Sequence, residues 1–230
     1  MAETLKIYVG HDSREDIAWQ VCRHSLRRHA SADLGIYPLK QPALRALGLY
    51  TRGQDAATTE FSLSRFLTPY LAGPEGWSVF VDCDFLFSAD IWRVLDGIDP
   101  AKAVHCVQHD YTPAHAVKMD GKAQTVYPRK NWSSFLLFNN RHPDVRALTP
   151  AVVNAASPAW LHRLHWVSDD SQIGSLPLGW NFLEGEYPKP SRQPEAVHFT
   201  NGGPWFENWQ EVDYAAEWRA ERDLYLTSRR

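Results

Sequence analysis

Val79-Phe80-Val81-Asp82-Cys83-Asp84 is an apolar run that ends in two carboxylates separated by one residue. Trp77 to Val81 reads as a buried strand of the kind found in parallel sheets. Period-two geometry then aims Asp82 and Asp84 in a similar direction. Two like charges held so close repel unless a cation lies between them, and a hard divalent ion is the natural occupant. In an open α/β sheet the carboxyl ends of the strands face the ligand crevice, which is where these carboxylates fall. The competing reading is a capped strand end with two solvated acids.

Upstream, Leu5 to Gly10 is a β-rich run followed by the polar turn His11-Asp12-Ser13 and an amphipathic stretch from Arg14 to His29. In that helix Ile17, Val21 and Leu26 share a face with Cys22 and Ser25, leaving Arg14, Glu15, Arg23 and Arg27 to face water. A second strand is expected at Leu34 to Leu39 and a helix from Glu60 to Leu71, stopped by Gly73-Pro74. Downstream, Ala103 to Val107 and Ser134 to Phe138 read as further strands. The alternation is βαβ-like, so the expected fold class is α/β, a Rossmann-like mixed central sheet flanked by helices in one domain. The last stretch, 211–230, mixes Tyr214, Trp218, Leu224 and Tyr225 with balanced charges and reads as a docking helix on a domain spanning 1–210.

A second chemical motif lies at Ala196-Val197-His198-Phe199-Thr200-Asn201-Gly202-Gly203-Pro204-Trp205. A short strand presents His198, the glycine pair allows close backbone approach to a ligand such as a phosphate, and Pro204-Trp205 stiffens the exit and adds an aromatic wall. Taken alone, His198 reads as a buried histidine before a tight turn; set beside Asp82 and Asp84, that reading becomes the lesser one.

Together these residues resemble the family-eight glycosyltransferases and related bacterial sugar transferases, whose fold is GT-A. The likeness continues through Ile7-Tyr8-Val9-Gly10-His11-Asp12, similar to the family's nucleotide-binding first strand, and Ser64-Arg65-Phe66, similar to its Ser-Arg helix. It extends to Trp132-Ser133-Ser134-Phe135-Leu136-Leu137-Phe138-Asn139 and Leu176-Pro177-Leu178-Gly179-Trp180-Asn181. The resemblance implies a nucleotide-binding half over about 1–110, an acceptor half over about 111–210, and hexosyl transfer from a nucleotide-diphosphate donor, a UDP-sugar, to a saccharide or glycan, with retention. It implies that Asp82, Asp84 and His198 ligate a divalent metal that grips the diphosphate. Manganese is the first choice for two carboxylates and one imidazole, and magnesium is admitted by the same chemistry. Val9, Gly10 and Asp12 fall to the base and ribose, Arg65 to the donor phosphates or sugar, and Cys83, Gly202 and Gly203 to the cofactor's surroundings.

This sequence also departs from the family. Gly203 stands where a lysine usually precedes Pro-Trp, so Lys130, Lys189 or Arg192 has to replace that charge, or it is absent. Ser168-Asp169-Asp170-Ser171-Gln172 occupies the place of the family's Asp-Gln-Asp segment. A carboxylate there could orient the acceptor or stabilise a cationic sugar, with Asp170 favoured over Asp169, while the alternative is a helix cap. Lys130, Asn131, Trp132, Ser133 and Ser134 form a candidate sugar and phosphate platform, and Trp180, Asn181 and Trp205 are assigned to the cleft.

Composition narrows the rest. The 230 residues carry a formal net charge of −3, without the clustered cations that phosphate tracking needs, which excludes a nucleic-acid footprint. Three scattered cysteines do not make a disulfide framework and fit a reducing cytoplasm. The opening lacks the basic start and long apolar middle of a secretion signal. No segment reaches the roughly 18 apolar residues of a membrane span, which leaves room only for weak peripheral membrane association. His105-Cys106-x-x-His109 and His162-x-x-His165 supply no familiar four-ligand zinc spacing. Two other functions share these features: a catalytically silent sugar-nucleotide or glycan-binding module, and a nucleotidyltransferase using the same carboxylates.

Overall fold

The structure is a computed structural model that describes residues 4–53, 59–110 and 128–228; positions 1–3 and 229–230, the outer limits of the two units expected from sequence, lie outside it, as do 54–58 and 111–127. Its frame is a six-stranded sheet in the order β2-β1-β3-β6-β5-β7. These strands are β1 (Leu5–Gly10), β2 (Leu34–Leu39), β3 (Trp77–Val81), β5 (Val104–Cys106), β6 (Phe135–Asn139) and β7 (Ile173–Ser175). β6 runs antiparallel to both neighbours and every other pairing is parallel, the mixed sheet expected. Val79, Phe80 and Val81 in β3 and Phe135 to Phe138 in β6 are fully buried. An uninterrupted apolar strand suits them because both faces of the sheet are covered.

The first helical segment begins as a 3-10 turn, Ser13–Glu15, capped by Asp12, before α1 (Asp16–His29). Glu15, expected in water, is buried, because that extra turn rotates it inward. The helix expected over 60–71 is broken into a 3-10 turn, Ser64–Leu67, and α3 (Thr68–Ala72), following the short α2 (Gln41–Ala46). Pro69 has no N–H to donate back along a continuous helix, so the chain restarts around it.

A smaller sheet, β4-β9-β8, is built from β4 (Phe85–Phe87), β8 (Phe182–Leu183) and β9 (Ala196–His198). Between β6 and β7 run α4 (Pro143–Arg146), α5 (Pro150–Ala155) and α6 (Pro158–His162). The C-terminal helix α7 (Ala215–Thr227) starts later than residue 211, after Tyr214 in a left-handed conformation. It packs on α1 and the small sheet through Val21, Leu86, Val197, Phe199 and Trp218. Buried Glu221 ties the two helices by accepting from Arg28 Nε at 2.8 Å and pairing with His24 at 2.6 Å.

Candidate active site and metal centre

The two sheets meet at Asp82-Cys83-Asp84. Asp82 N–H donates to Ser134 O (3.0 Å), continuing the β3–β6 ladder, while Phe199 N–H donates to Asp84 O (3.0 Å), beginning the β4–β9 ladder. One carboxylate is therefore anchored to each sheet, with the buried Cys83 between them. The β4–β9 register sets Phe85 opposite His198, and the phenyl ring stacks on the imidazole at 4.4 Å and 15°. His198 Nε2 comes to 3.3 Å from Asp84 Oδ1. One ligand atom from each of Asp82, Asp84 and His198 lies within 4.8 Å of the others, so the three remote residues do converge.

The second ring nitrogen defines the tautomer. Asn181 Nδ2 donates to Asn131 O (3.2 Å) and Ser134 Oγ (2.9 Å), which turns the amide oxygen toward His198 Nδ1 at 2.9 Å. Nδ1 therefore carries the proton, and the Nε2 lone pair faces the carboxylates. Asp84 Oδ1 is buried and makes no hydrogen bond. A lone pair and a carboxylate oxygen facing each other at hydrogen-bond range are both acceptors, so a cation suits the gap better than a proton shared between them. Two carboxylates and one imidazole are also a fitting donor set for a moderately hard divalent ion.

Arg65 is no surface arginine. It is buried between Phe61 and Phe80, with Nη1 2.8 Å from Asp82 Oδ1 and donating to Ser133 O (2.8 Å), and Nε donating to Ser62 O (2.8 Å). Ser133 Oγ in turn meets His162 Nδ1 at 2.9 Å; burial, reinforced by Arg65, pushes that imidazole down to about 3. The 129–134 segment thus sits directly over the acidic pair, and Asn131 reaches Thr200 Oγ1 with its own amide (3.2 Å). Lys130 is buried within this segment, whereas Lys189 lies 3.7 Å from Asp213 and Arg192 3.3 Å from Glu195, both on the surface.

Other expected contacts are placed differently. Asp12 is fully buried; burial alone would raise its carboxyl, but hydrogen bonds from Arg14 and the Glu60 N–H hold it below the usual aspartate range. Val9 is buried and its carbonyl accepts from Trp19 Nε1 (3.4 Å), and the Phe61 ring lies against Gly10. These three lie at the carboxyl end of β1 and the turn that follows it. Trp180, on the 3-10 turn after Pro177, is buried with its ring 6.3 Å from that of Phe135, and Asn181 beside it meets His198 Nδ1. Trp132 spends its indole N–H on His109 O (2.9 Å). Asp169 caps the 3-10 turn Asp170–Gln172 by accepting from Ser171 N–H (2.8 Å), and the exposed Asp170 pairs with Arg129 at the foot of the 129–134 segment.

Three residues near the site were given no site role from the sequence. Glu15 Oε2 accepts from Trp205 Nε1 (3.2 Å), and burial, with Asp84 and Asp12 nearby, pushes its carboxyl up to about 8. His109 Nδ1 lies 3.0 Å from Tyr187 Oη, and burial, aided by His198, pushes it down to about 3. Thr200 receives the Asn131 amide. His109 appeared in sequence only within a zinc-like spacing; among the described residues the one three-residue group able to hold a metal is Asp82, Asp84 and His198.

No family model matches the chain. Protein CDI of Arabidopsis thaliana is 51% identical over 226 residues, covering 96% of this chain and 86% of that protein. Among solved structures, the WbbM bifunctional glycosyltransferase superposes with a TM-score of 0.66 at 17% identity, over 96% of this chain and 50% of that one. The glycosyltransferase GlyE of Streptococcus pneumoniae TIGR4 gives 0.64 at 13%, over 98% and 63%. This chain therefore spans about half to under two thirds of those two. The galactosyltransferase LgtC, solved with donor and acceptor sugar analogs, gives 0.60 at 11%, over 95% of each chain. At such identities the likeness shows the fold, which is that of the GT-A glycosyltransferases. Among the described residues no helix is long and apolar enough to cross a membrane.

Proposed function

The chain belongs to the family of Protein CDI of Arabidopsis thaliana, and on that premise we propose that it is a metal-dependent glycosyltransferase of the cytoplasm, moving a hexosyl group from a nucleotide-diphosphate donor, a UDP-sugar, to a saccharide or glycan with retention. The observation that carries this reading is the meeting of Asp82, Asp84 and His198 at the seam of a GT-A fold. A divalent cation held there, manganese before magnesium, would supply Lewis-acid stabilisation of charge on the departing diphosphate.

The protein's own groups do the holding and orienting. Asn181 keeps His198 in the tautomer that presents Nε2, and Arg65 holds Asp82 in place while neutralising one charge of the acidic pair. Val9, Gly10 and Asp12 back the base and ribose, and Cys83, Gly202 and Gly203 border the cation and diphosphate. Lys130 to Ser134 form the sugar platform, with Trp205 as the aromatic wall. Asp170, ahead of Asp169, is the carboxylate offered to the acceptor side, where its pairing with Arg129 links it to the platform. The span 1–210 acts as the transferase domain and α7 as its docking helix.

The test is thermal stability with nucleotide sugars, with and without manganese, followed by turnover. Stabilisation by UDP-sugars that depends on the metal supports the reading. Pyrophosphate release from a nucleoside triphosphate would replace it with nucleotidyl transfer. The glycine at 203, where the resembling family has lysine, favours one second reading, a binding module without turnover; tight metal-dependent binding with neither transfer nor donor hydrolysis would identify it.

A further inference from the structure

A buried glutamate is costly unless something uses it. Glu15 closes the turn that follows β1, and its hydrogen bond runs to the indole of Trp205, 190 residues away. That indole is held on several sides: Phe199 meets it edge-on at 5.8 Å, Trp218 lies at 5.2 Å and Phe206 at 5.6 Å. It also folds back over Gly203, so that a β-carbon at position 203 would strike the indole ring. The glycine that replaces the family's lysine is thus matched to its surroundings. No side chain at 203 can coexist with Trp205 in this pose, and the pose is the one that satisfies Glu15.

We infer that Glu15 is a positioning residue that pins Trp205, and with it the Gly202-Gly203 turn, to the loop after β1, setting the spacing between the nucleotide and diphosphate walls of the crevice. The two walls come from opposite ends of the chain, and among the described residues this bond is a direct side-chain link between them. Gly202 has φ 138, and its N–H donates to Phe199 O (3.0 Å), so a shift of the Trp205 ring is passed to a turn hydrogen-bonded to Phe199, the immediate neighbour of His198. The high proton affinity of Glu15 fits the role, since a neutral carboxyl still accepts from the indole without adding charge beside Asp84.

This rests on the glycosyltransferase reading, and the experiment separates the two. In the full chain, Glu15→Gln keeps an acceptor oxygen, Glu15→Leu removes it, Trp205→Phe keeps a ring but removes the N–H, and Gly203→Ala displaces the ring. With manganese and UDP, the metal-linked thermal shift and the donor KM are measured for each, beside kcat. Glu15→Leu and Trp205→Phe are expected to raise donor KM roughly tenfold, the scale of one buried hydrogen bond, with a smaller change in kcat. Glu15→Gln should stay near wild type, Gly203→Ala should resemble Trp205→Phe, and combining Glu15→Leu with Trp205→Phe should add little to either alone. Donor KM unchanged in Trp205→Phe, or full additivity in the double variant, overturns the positioning role while leaving the parent reading intact. If Glu15→Leu does not fold, Trp205→Phe and Gly203→Ala decide the matter. Loss of any metal-linked shift in the wild type overturns both.

Discussion

The six-stranded and three-stranded sheets differ in what their strands contain. Apart from Trp77, Ser78 and Asn139 at their ends, β3 and β6 are filled with Val, Phe and Leu on both faces. β9 is three residues long, Ala-Val-His, and ends in an imidazole. The central strands of the large sheet spend their sequence on burial, β9 of the small one carries the imidazole between the apolar β4 and β8, and Asp82-Cys83-Asp84 straddles the two sheets with one backbone bond to each. Stability and function are thereby divided between two ladders that share a single turn, and substitutions on either side of that turn should separate the two properties.

The sharpest separation is expected at the acidic pair. Asp84→Asn should reduce turnover about 1,000-fold, on the order of 4 kcal/mol, because the group facing His198 Nε2 loses its charge. Its metal-free melting temperature should hold or rise, since one of the negative charges crowding Glu15 is gone. Asp82→Asn should lose activity as well but should melt lower, because buried Arg65 loses its ion partner. Equal melting temperatures for the two variants would break the claim that the carboxylates belong to different sheets in energy as well as in geometry.

Next in size is the large sheet itself. Leu137→Ala removes a fully buried side chain between Val79 and His105 in the ladder and should cost about 3 kcal/mol in denaturant unfolding. Manganese affinity of the folded protein should be unchanged. A loss of metal affinity comparable to that at the site residues would show that the two sheets are not separable.

This division also explains what could be read from sequence. β2, β3 and the start of β9 follow from local apolar patterning, and the Asp-x-Asp ending marks its own strand edge, so the frame and the acidic half of the site were legible. Pairing the acids with His198 drew on family resemblance, because nothing local connects positions 84 and 198. Glu15 was misassigned to solvent because helical periodicity was extended through a 3-10 turn, where the face rotates differently. Trp180, assigned to the cleft, is buried beside Phe135, and an indole serves core and sugar equally well, so its sequence setting does not separate the two roles. His109 pairs with Tyr187 across 78 positions, a partnership without any sequence signature.

A smaller effect tests the small sheet alone. Asn181→Leu preserves volume but removes the acceptor at His198 Nδ1, so manganese affinity should fall 10- to 100-fold, on the scale of lost outer hydrogen bonds at metal centres. Titration calorimetry checks it, and unaltered affinity would mean that the Phe85 stack alone orients the ring.

The smallest expected effect is in the pH profile of the metal-free protein, and its two limbs come from different kinds of buried group. His162, beside the large sheet, and His109, beside the small one, are both pushed down to about 3 by burial. Groups lowered in this way contribute stability above their unfolded value near 6.5, and that contribution is lost as pH falls toward 3. Glu15 and Glu184 are pushed up, to about 8 and about 7, again chiefly by burial. Their contribution is present below the unfolded value near 4.5 and is lost as pH rises through 7 and 8. The melting temperature should therefore peak in mildly acidic solution and decline on both sides. Glu184→Gln should flatten the alkaline limb by roughly 3 °C, the shift that about 1 kcal/mol produces in a protein of this size, and leave the acid limb alone. His162→Gln should do the reverse. If both variants change the same limb, the assignment of the acid limb to buried imidazoles and of the alkaline limb to buried carboxyls fails.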